Sequence, residues 1–317
     1  MFQARRVASP PLISVVIPVR NEGRRLRSTI SSIMDNRSCP FPIQIIVIDD
    51  ASSDGCCSAA LKACSSDRNH ASIEIVRLPR WSGIPYARNV GAGLARAPIL
   101  FMTDANVRFP RCWDHPIRDH IGPGRVICAA IADAESQFVG FGGTLHVPSM
   151  GFDWVRTLHP HGNAVPLSPS TGTIIPTELF RRVGGYDTAM PIYGAAEPEL
   201  SVRVWLSGAE IVCIPGLVLK HHFKSASEKK PFLKTIEPTL VYNYIRFGLL
   251  YLDRMRMEQM LTYYSNQFPL LFKDALRRAW VGDVWNRRSL LERILPRTFA
   301  DFVRQFKIVD ATGQSAA

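Results

Sequence analysis

Asp104 and Asn106 flank Ala105 directly after the apolar run 98–102. An acid and an amide two positions apart at a strand end present oxygen ligands on one side, the ligand type that Mg²⁺ and Mn²⁺ prefer. His221 or His222, after a later apolar run, offers an imidazole as a third ligand, which Mn²⁺ also accepts. A cation held this way neutralises charge that builds on a departing diphosphate. Asp-x-Asn alone is a weak pattern, and its meaning comes from its place at the strand end. Glu197 and Glu199 flank Pro198. Either carboxylate is placed to act as a general base on a hydroxyl or thiol, or both form a charge pair at a helix N-terminus. Asp49 and Asp50 close another apolar run. Each can accept a hydrogen bond from a uracil ring N–H or cap the helix that begins at Cys56.

These residues need a scaffold. Ile13–Val19 is a continuous β-branched run, the signature of a buried parallel strand, and Asn21-Glu22-Gly23 closes it. A helix over 24–34, a strand over 43–48, a helix over 56–64, a strand over 73–78, a helix over 84–95 and a strand over 98–102 follow. In the last helix Ala87, Gly91 and Ala95 recur every fourth position, a face suited to close packing on a sheet. Alternating strands and helices specify a mostly parallel, doubly wound sheet, whose ligands bind beyond the carboxyl ends of the strands. Three of those ends carry Asn21/Glu22, Asp49/Asp50 and Asp104/Asn106. One such end reads as a turn or a cap. Three at one sheet edge read as a site. Later, 202–206 reads as helix and 210–214 as strand. From 226 onward the chain is helical and basic, with aromatics that include Tyr242, Tyr264, Phe268, Trp280 and Trp285; most of them are expected in the core.

The 317 residues are 46% apolar and 21% charged, enough for one large α/β domain (1–225) and a smaller helical extension (226–317). The net charge of +11 fits attraction to a phosphate-rich substrate or an anionic membrane surface. The sequence contains no nucleic-acid-binding module and no dense Lys/Arg block, so nucleic acid is not an expected partner. Seven cysteines, an odd number without a C-x-x-C pair, fit free thiols in a reducing compartment. Arg5 and Arg6 ahead of the run 12–19 mimic a signal peptide, but the run is short, holds Pro18 and reads as the first strand. The sequon Asn36-Arg37-Ser38 is then incidental. Residues 310–317 read as a frayed tail.

Ile13-Ser14-Val15-Val16-Ile17-Pro18-Val19-Arg20-Asn21-Glu22, Val47-Ile48-Asp49-Asp50-Ala51-Ser52-Ser53-Asp54 and Gly83-Ile84-Pro85-Tyr86-Ala87-Arg88-Asn89-Val90-Gly91 resemble segments of GT-A family 2 glycosyltransferases. Asp104-Ala105-Asn106 stands at the position of that family's metal-binding D-x-D. Gly151-Phe152-Asp153-Trp154, Gly184-Gly185-Tyr186-Asp187, the run Tyr193 to Trp205, Ile214-Pro215 and His221-His222-Phe223 are similar to segments of the polypeptide N-acetylgalactosaminyltransferases. The likeness covers about residues 12–253. It implies a Rossmann-like GT-A sheet flanked by helices, a UDP-hexose or UDP-HexNAc as nucleotide-sugar donor, and Mn²⁺ or Mg²⁺ as cofactor.

Carried over by position, the resemblance places Pro18, Arg20, Asn21, Glu22, Asp50, Arg88, Thr103, Asp104 and Tyr193 around the donor. It assigns Asp104, Asn106 and His221 to the metal, with Asn106 the weaker ligand because it is neutral. At Ala196-Glu197 the peptide transferases, which retain anomeric configuration, have Glu-Asn, and the inverting family 2 enzymes have Glu-Asp with the second residue as base. Here the carboxylate falls at the inverting base position, so inversion with Glu197 as base is expected. The expected activity is sugar transfer to a hydroxyl or thiol, on a peptide or protein. A transferase acting on lipid-linked or polysaccharide acceptors at a membrane face is one alternative, and an inactive fold that only binds is another. The segment 225–239, with Lys229, Lys230 and Lys234, is a candidate lid over the diphosphate or a solvated loop. A cytoplasmic enzyme, with peripheral membrane contact through the basic helices, is the expected location.

Overall fold

The computed structural model describes residues 10–64, 71–158 and 163–310. Arg5, Arg6 and residues 311–317 lie outside them. The first half alternates strand and helix: β1 (Ile13–Val19), α1 (Arg24–Asp35), β2 (Ile43–Asp49), α2 (Cys56–Cys64), β3 (Ala71–Arg77), α3 (Ile84–Leu94) and β4 (Ile99–Met102). The middle adds β5 (Val107–Arg108), α4 (Asp114–His120), β6 (Arg125–Asp133), β7 (Val139–Gly140), β8 (Gly143–His146), β9 (Gly151–Trp154), β10 (Thr173–Pro176), α5 (Thr177–Arg182), α6 (Ala196–Leu206) and β11 (Glu210–His221). Five helices close the chain: α7 (Ala226–Tyr251), α8 (Arg254–Gln267), α9 (Pro269–Val281), α10 (Val284–Ile294) and α11 (Phe299–Phe306).

One nine-stranded sheet organises the molecule in the order β3-β2-β1-β4-β10-β6-β11-β5, with β7 on β6. β1 pairs in parallel with β2 and β4, β2 with β3, and β6 with β11. β10 runs antiparallel between β4 and β6, and β5 and β7 are antiparallel additions. β8 and β9 form a separate hairpin. The sheet is therefore mostly parallel, as its β-branched runs require, and helices cover both faces.

Two apolar clusters sandwich the sheet. Val15, Ile17, Ile45 and Val47 point to the side of α1, where Leu26, Ile30 and Ile33 are fully buried. Each such side chain contributes roughly 1.5–3 kcal/mol by leaving water. Val16, Ile46 and Ile48 point to the other side, against α3. There the small-residue face does what its spacing predicts: a Cβ on Gly91 would lie 2.4 Å from Val16 Cγ1. The C-terminal helices are built on this same cluster, through Ile245, Phe247, Leu249 and Phe302. α7 begins at Ala226, and the helices from there onward share their core with the sheet. Most of their aromatics are packed inward, whereas Tyr263 and Trp280 are exposed.

The structure corrects three local expectations. Residues 226–239 are not a loop but the first turns of α7, mostly exposed around the buried Ile236 and started by a capping box between Ser225 and Glu228. Neither Asp49 nor Asp50 caps α2; Asp54 accepts from the Cys56 N–H at 3.0 Å. Asp310 is not frayed, because it bridges to Val147.

Candidate active site

The loops after β1, β2 and β4 meet at one sheet edge, as the doubly wound topology requires. Asn21 Oδ1 accepts from the Ser53 N–H at 2.7 Å, which ties the first loop to the second. Arg20 donates to the carbonyls of Asp50 and Ala51 at 2.7 and 2.9 Å and lies over the Trp81 ring at 5.0 Å. Asp50 accepts from the N–H groups of Ser82 and Gly83 at 2.7 and 2.8 Å, and so fixes the turn that starts α3. That turn is tight: Gly83 has φ +88° and sits against Ile192, whose carbonyl accepts from Ile84 N–H at 2.9 Å. Glu22 reaches across to Lys224 at 2.5 Å, beyond the end of β11.

Asp104 ends β4 at the centre of this edge. Its Oδ1 accepts from Arg88 at 2.7 Å, and Oδ2 accepts from Thr171 and stands 3.6 Å from His221 Nε2. Burial pushes its carboxyl pKa up, but His221, Arg88 and Thr171 outweigh burial and hold it well below the ordinary carboxylate range. It is an anion at any working pH. Two ligand atoms each about 2.1 Å from one ion lie about 3.0 Å apart when adjacent and 4.2 Å when opposite. The Asp104–His221 separation falls inside that range. His221 packs on Phe223 at 4.3 Å, and its Nδ1 is buried without a hydrogen-bond partner among the described residues. An imidazole with so few protein partners beside a held anion fits a cation ligand. Asn106 fits less well: its amide donates to the His222 carbonyl at 2.9 Å, leaving only its oxygen for an ion. Its observed task is to align β11 with the β4 loop.

Arg88 joins Asp104 to Glu197. Its guanidinium is fully buried, with Nη1 3.7 Å from Glu197 Oε1 and its carbon 5.7 Å from the Tyr186 ring centre. Glu197, in the first turn of α6, has an oxygen that is buried and without a hydrogen-bond partner. Burial raises its pKa to about 7, against the opposing pull of Arg88. A carboxylate poised there is matched to proton abstraction near neutrality.

Other expected site residues do different work. Glu199 is fully buried, bound by Arg203 at 2.8 and 2.6 Å and by the Tyr251 hydroxyl at 2.7 Å. Both its oxygens are occupied inside the core, so it is a structural anion rather than a catalytic base. Pro18, Arg88 and Thr103 have buried side chains and cannot touch a donor through them; Arg88 acts through the two carboxylates. Tyr193 is 39% exposed and meets Phe232 of α7 edge-on at 6.0 Å, at the mouth of the site. Phe232 also approaches Trp81, at 6.4 Å.

Sequence reading missed Thr171, Tyr186, Trp81 and an aromatic wall beside His221. Phe138, Phe152, Trp154 and Phe223 meet edge to face at 5.1–6.2 Å. Gly140 and Gly143 make room for it: a Cβ on either would strike Trp154 or Phe152 at 2.3 and 2.0 Å. The clustered glycines were the available signal. A different group of metal-ligating side chains, Cys39, Asp114 and His115, lies away from this edge. There Asp114 accepts from the N–H groups of Ser38 and Cys39 at 3.1 and 2.7 Å, which makes it a turn clamp. The six described cysteines are free thiols.

Comparison with known proteins agrees with this geometry. The profile of Glycosyl transferase family 2 matches residues 14–182, more than half of the chain. Polypeptide N-acetylgalactosaminyltransferase 11 of Xenopus tropicalis is 24% identical over 310 residues, 91% of this chain and 49% of the relative. Inactive polypeptide N-acetylgalactosaminyltransferase-like protein 5 of Macaca fascicularis is 27% identical over 316 residues, 94% of this chain and 68% of the relative. The chain thus spans about half to two thirds of the length of these relatives. The structure of GalNAc-T7 with UDP, GalNAc and Mn²⁺ superimposes with a TM-score of 0.73 at 20% identity, covering 94% of this chain and 57% of the other. The fold is GT-A, and the chain belongs to glycosyl transferase family 2.

Proposed function

We propose that the protein transfers a sugar from a nucleotide-diphosphate donor to an acceptor hydroxyl. Asp104 and His221 would hold a divalent cation, whose charge when bound stabilises the departing diphosphate. The carrying observation is the 3.6 Å approach of the Asp104 carboxylate to the His221 imidazole at the carboxyl edge of the sheet. The remaining work falls to the chain's own residues. Thr171 and Arg88 fix the orientation of Asp104. The loop carrying Arg20 and Asn21, and the turn that Asp50 fixes at the start of α3, face the nucleoside, and Tyr193 stands at the mouth over the sugar.

Glu197 takes the proton from the acceptor as that oxygen attacks the anomeric carbon from the side opposite the leaving diphosphate. The product is then inverted. The raised pKa of Glu197 and its Oε1, which makes no hydrogen bond, support this role. The aromatic wall beside His221 suits an acceptor segment with apolar or sugar faces. A peptide or protein acceptor is favoured because the similar relatives are named polypeptide transferases.

The test is incubation with UDP-GalNAc, UDP-GlcNAc and UDP-glucose, Mn²⁺ and a Ser/Thr peptide library, read by mass spectrometry. Glycosylated peptide from wild type and none from Asp104→Ala supports the reading. Absence of both transfer and donor hydrolysis under every donor overturns it in favour of a binding protein. The anomeric configuration of the product by NMR decides inversion: an α product from an α-linked donor removes Glu197 as the inverting base.

A further inference from the structure

The outward face of α9 is not that of an ordinary solvated helix. Its inner side chains, Leu271, Phe272, Ala275, Leu276 and Ala279, pack on the shared core. On the opposite side Leu270 is 95% exposed and Val281 74%, with Trp280 about half exposed. At 3.6 residues per turn, Leu270, Asp274, Arg277 and Val281 fall on one stripe, with Lys273 and Trp280 along one side of it. The face is thus apolar at both ends, and between them Lys273, Arg277 and Arg278 outnumber the one acid, Asp274. The next helix repeats the composition, with Leu290 and Ile294 exposed around Arg293. Lys273 and Arg293 make no ion pair among the described residues, and Arg277 is paired only with Asp274 of its own helix, at 2.8 Å.

Charge gives this face its partner. Residues 226–317 hold 15 Lys/Arg against 9 Asp/Glu, a net +6 out of the chain's +11 in less than a third of its length. Large apolar side chains cost free energy when left in water, and cations among them select against a purely apolar partner. Indole, isobutyl and isopropyl groups beside Lys and Arg fit the headgroup boundary of an anionic bilayer: the apolar tips enter the acyl edge and the cations meet lipid phosphates. No helix among the described residues is long and apolar enough to cross a membrane. We propose that α9, continued by α10, docks the protein reversibly on an anionic lipid surface. The proposal does not depend on the sugar-transfer reading, since none of these residues belongs to the candidate site.

The experiment is co-sedimentation of the full chain with phosphatidylcholine vesicles and with vesicles holding 30 mol% phosphatidylserine. Wild type is expected to bind the anionic vesicles, to release as salt rises and to ignore the neutral ones. Each removed cation weakens binding about fivefold, so Lys273→Ala with Arg277→Ala lowers it roughly 30-fold. Leu270→Ser with Val281→Ser lowers it as well, with unchanged circular dichroism and melting temperature. No binding to anionic vesicles, or equal binding by the variants, overturns the proposal. So does a dimer in light scattering that the Leu270/Val281 variant abolishes, because the face then takes a second copy.

Discussion

The Arg88 guanidinium donates to Asp104 at 2.7 Å while fully buried, and the same group stands 3.7 Å from Glu197. One cation thereby keeps two carboxylates of different purpose in one small volume. With His221 and Thr171 it keeps the Asp104 carboxyl below its ordinary range, and it limits how far burial raises Glu197.

Replacing Arg88 with Met leaves Glu197 without its cation and Asp104 with only Thr171 and the His221 imidazole. Breaking a buried pair this way costs on the order of 3–5 kcal/mol, visible as a lower denaturation midpoint. Arg88→Lys keeps the charge but not the fork that reaches both acids. A more stable variant than Arg88→Met is expected, with its pH–rate midpoint displaced from wild type. A purely structural role for Arg88 would leave that midpoint in place.

Glu197 makes a signed prediction. Its folded pKa of about 7 lies above the usual 4.5, so the folded state keeps a proton that the unfolded state has lost. The resulting stability is fully present below about pH 4.5 and is lost as pH rises through 7. Glu197→Gln removes this dependence. Its stability relative to wild type should therefore rise by up to about 3 kcal/mol between pH 4.5 and 7.5, measured by urea denaturation at each pH. Activity should move oppositely: wild-type kcat/KM climbs through pH 7, while the variant is flat and roughly 10²- to 10⁴-fold slower.

Glu199 is the control for Glu197. Glu199→Gln strands the Arg203 charge in the core, and a loss on the order of 3–5 kcal/mol is expected. The fraction that remains folded should keep wild-type turnover. Loss of turnover with stability intact would return Glu199 to the chemistry.

Gly83→Ala tests how the mouth is assembled. A Cβ there would lie 2.1 Å from Ile192 Cα, next to Tyr193. The α3 turn and the loop leading to Glu197 must separate, so KM for the donor is expected to rise more than kcat falls. An unchanged KM would show that this contact does not shape the donor pocket.

The first half of the fold was legible because its strands are unbroken β-branched runs and its helices are short and well punctuated. β1 and α2 end where the sequence says. The second half was less so. Pro215 and Gly216 interrupt β11, which runs to His221 through a register shift after Ile214. The antiparallel β10 has only four residues. The approach of Asp104 to His221 was legible through their places at strand ends. The partners of that pair were not: Thr171 and Tyr186 reach Asp104 and Arg88 only through tertiary packing, which leaves no periodic trace. Glu199 and Glu197 look alike in sequence, and only the position of Arg203 and Tyr251 one turn away and across the core separates them.

The proposed function turns on one cation shared by Asp104 and His221. Mn²⁺ titration followed by electron paramagnetic resonance, with UDP present, tests it directly. Wild type is expected to bind one ion, with affinity lost in both Asp104→Ala and His221→Ala while circular dichroism is unchanged. Equal Mn²⁺ affinity in either folded variant would contradict it.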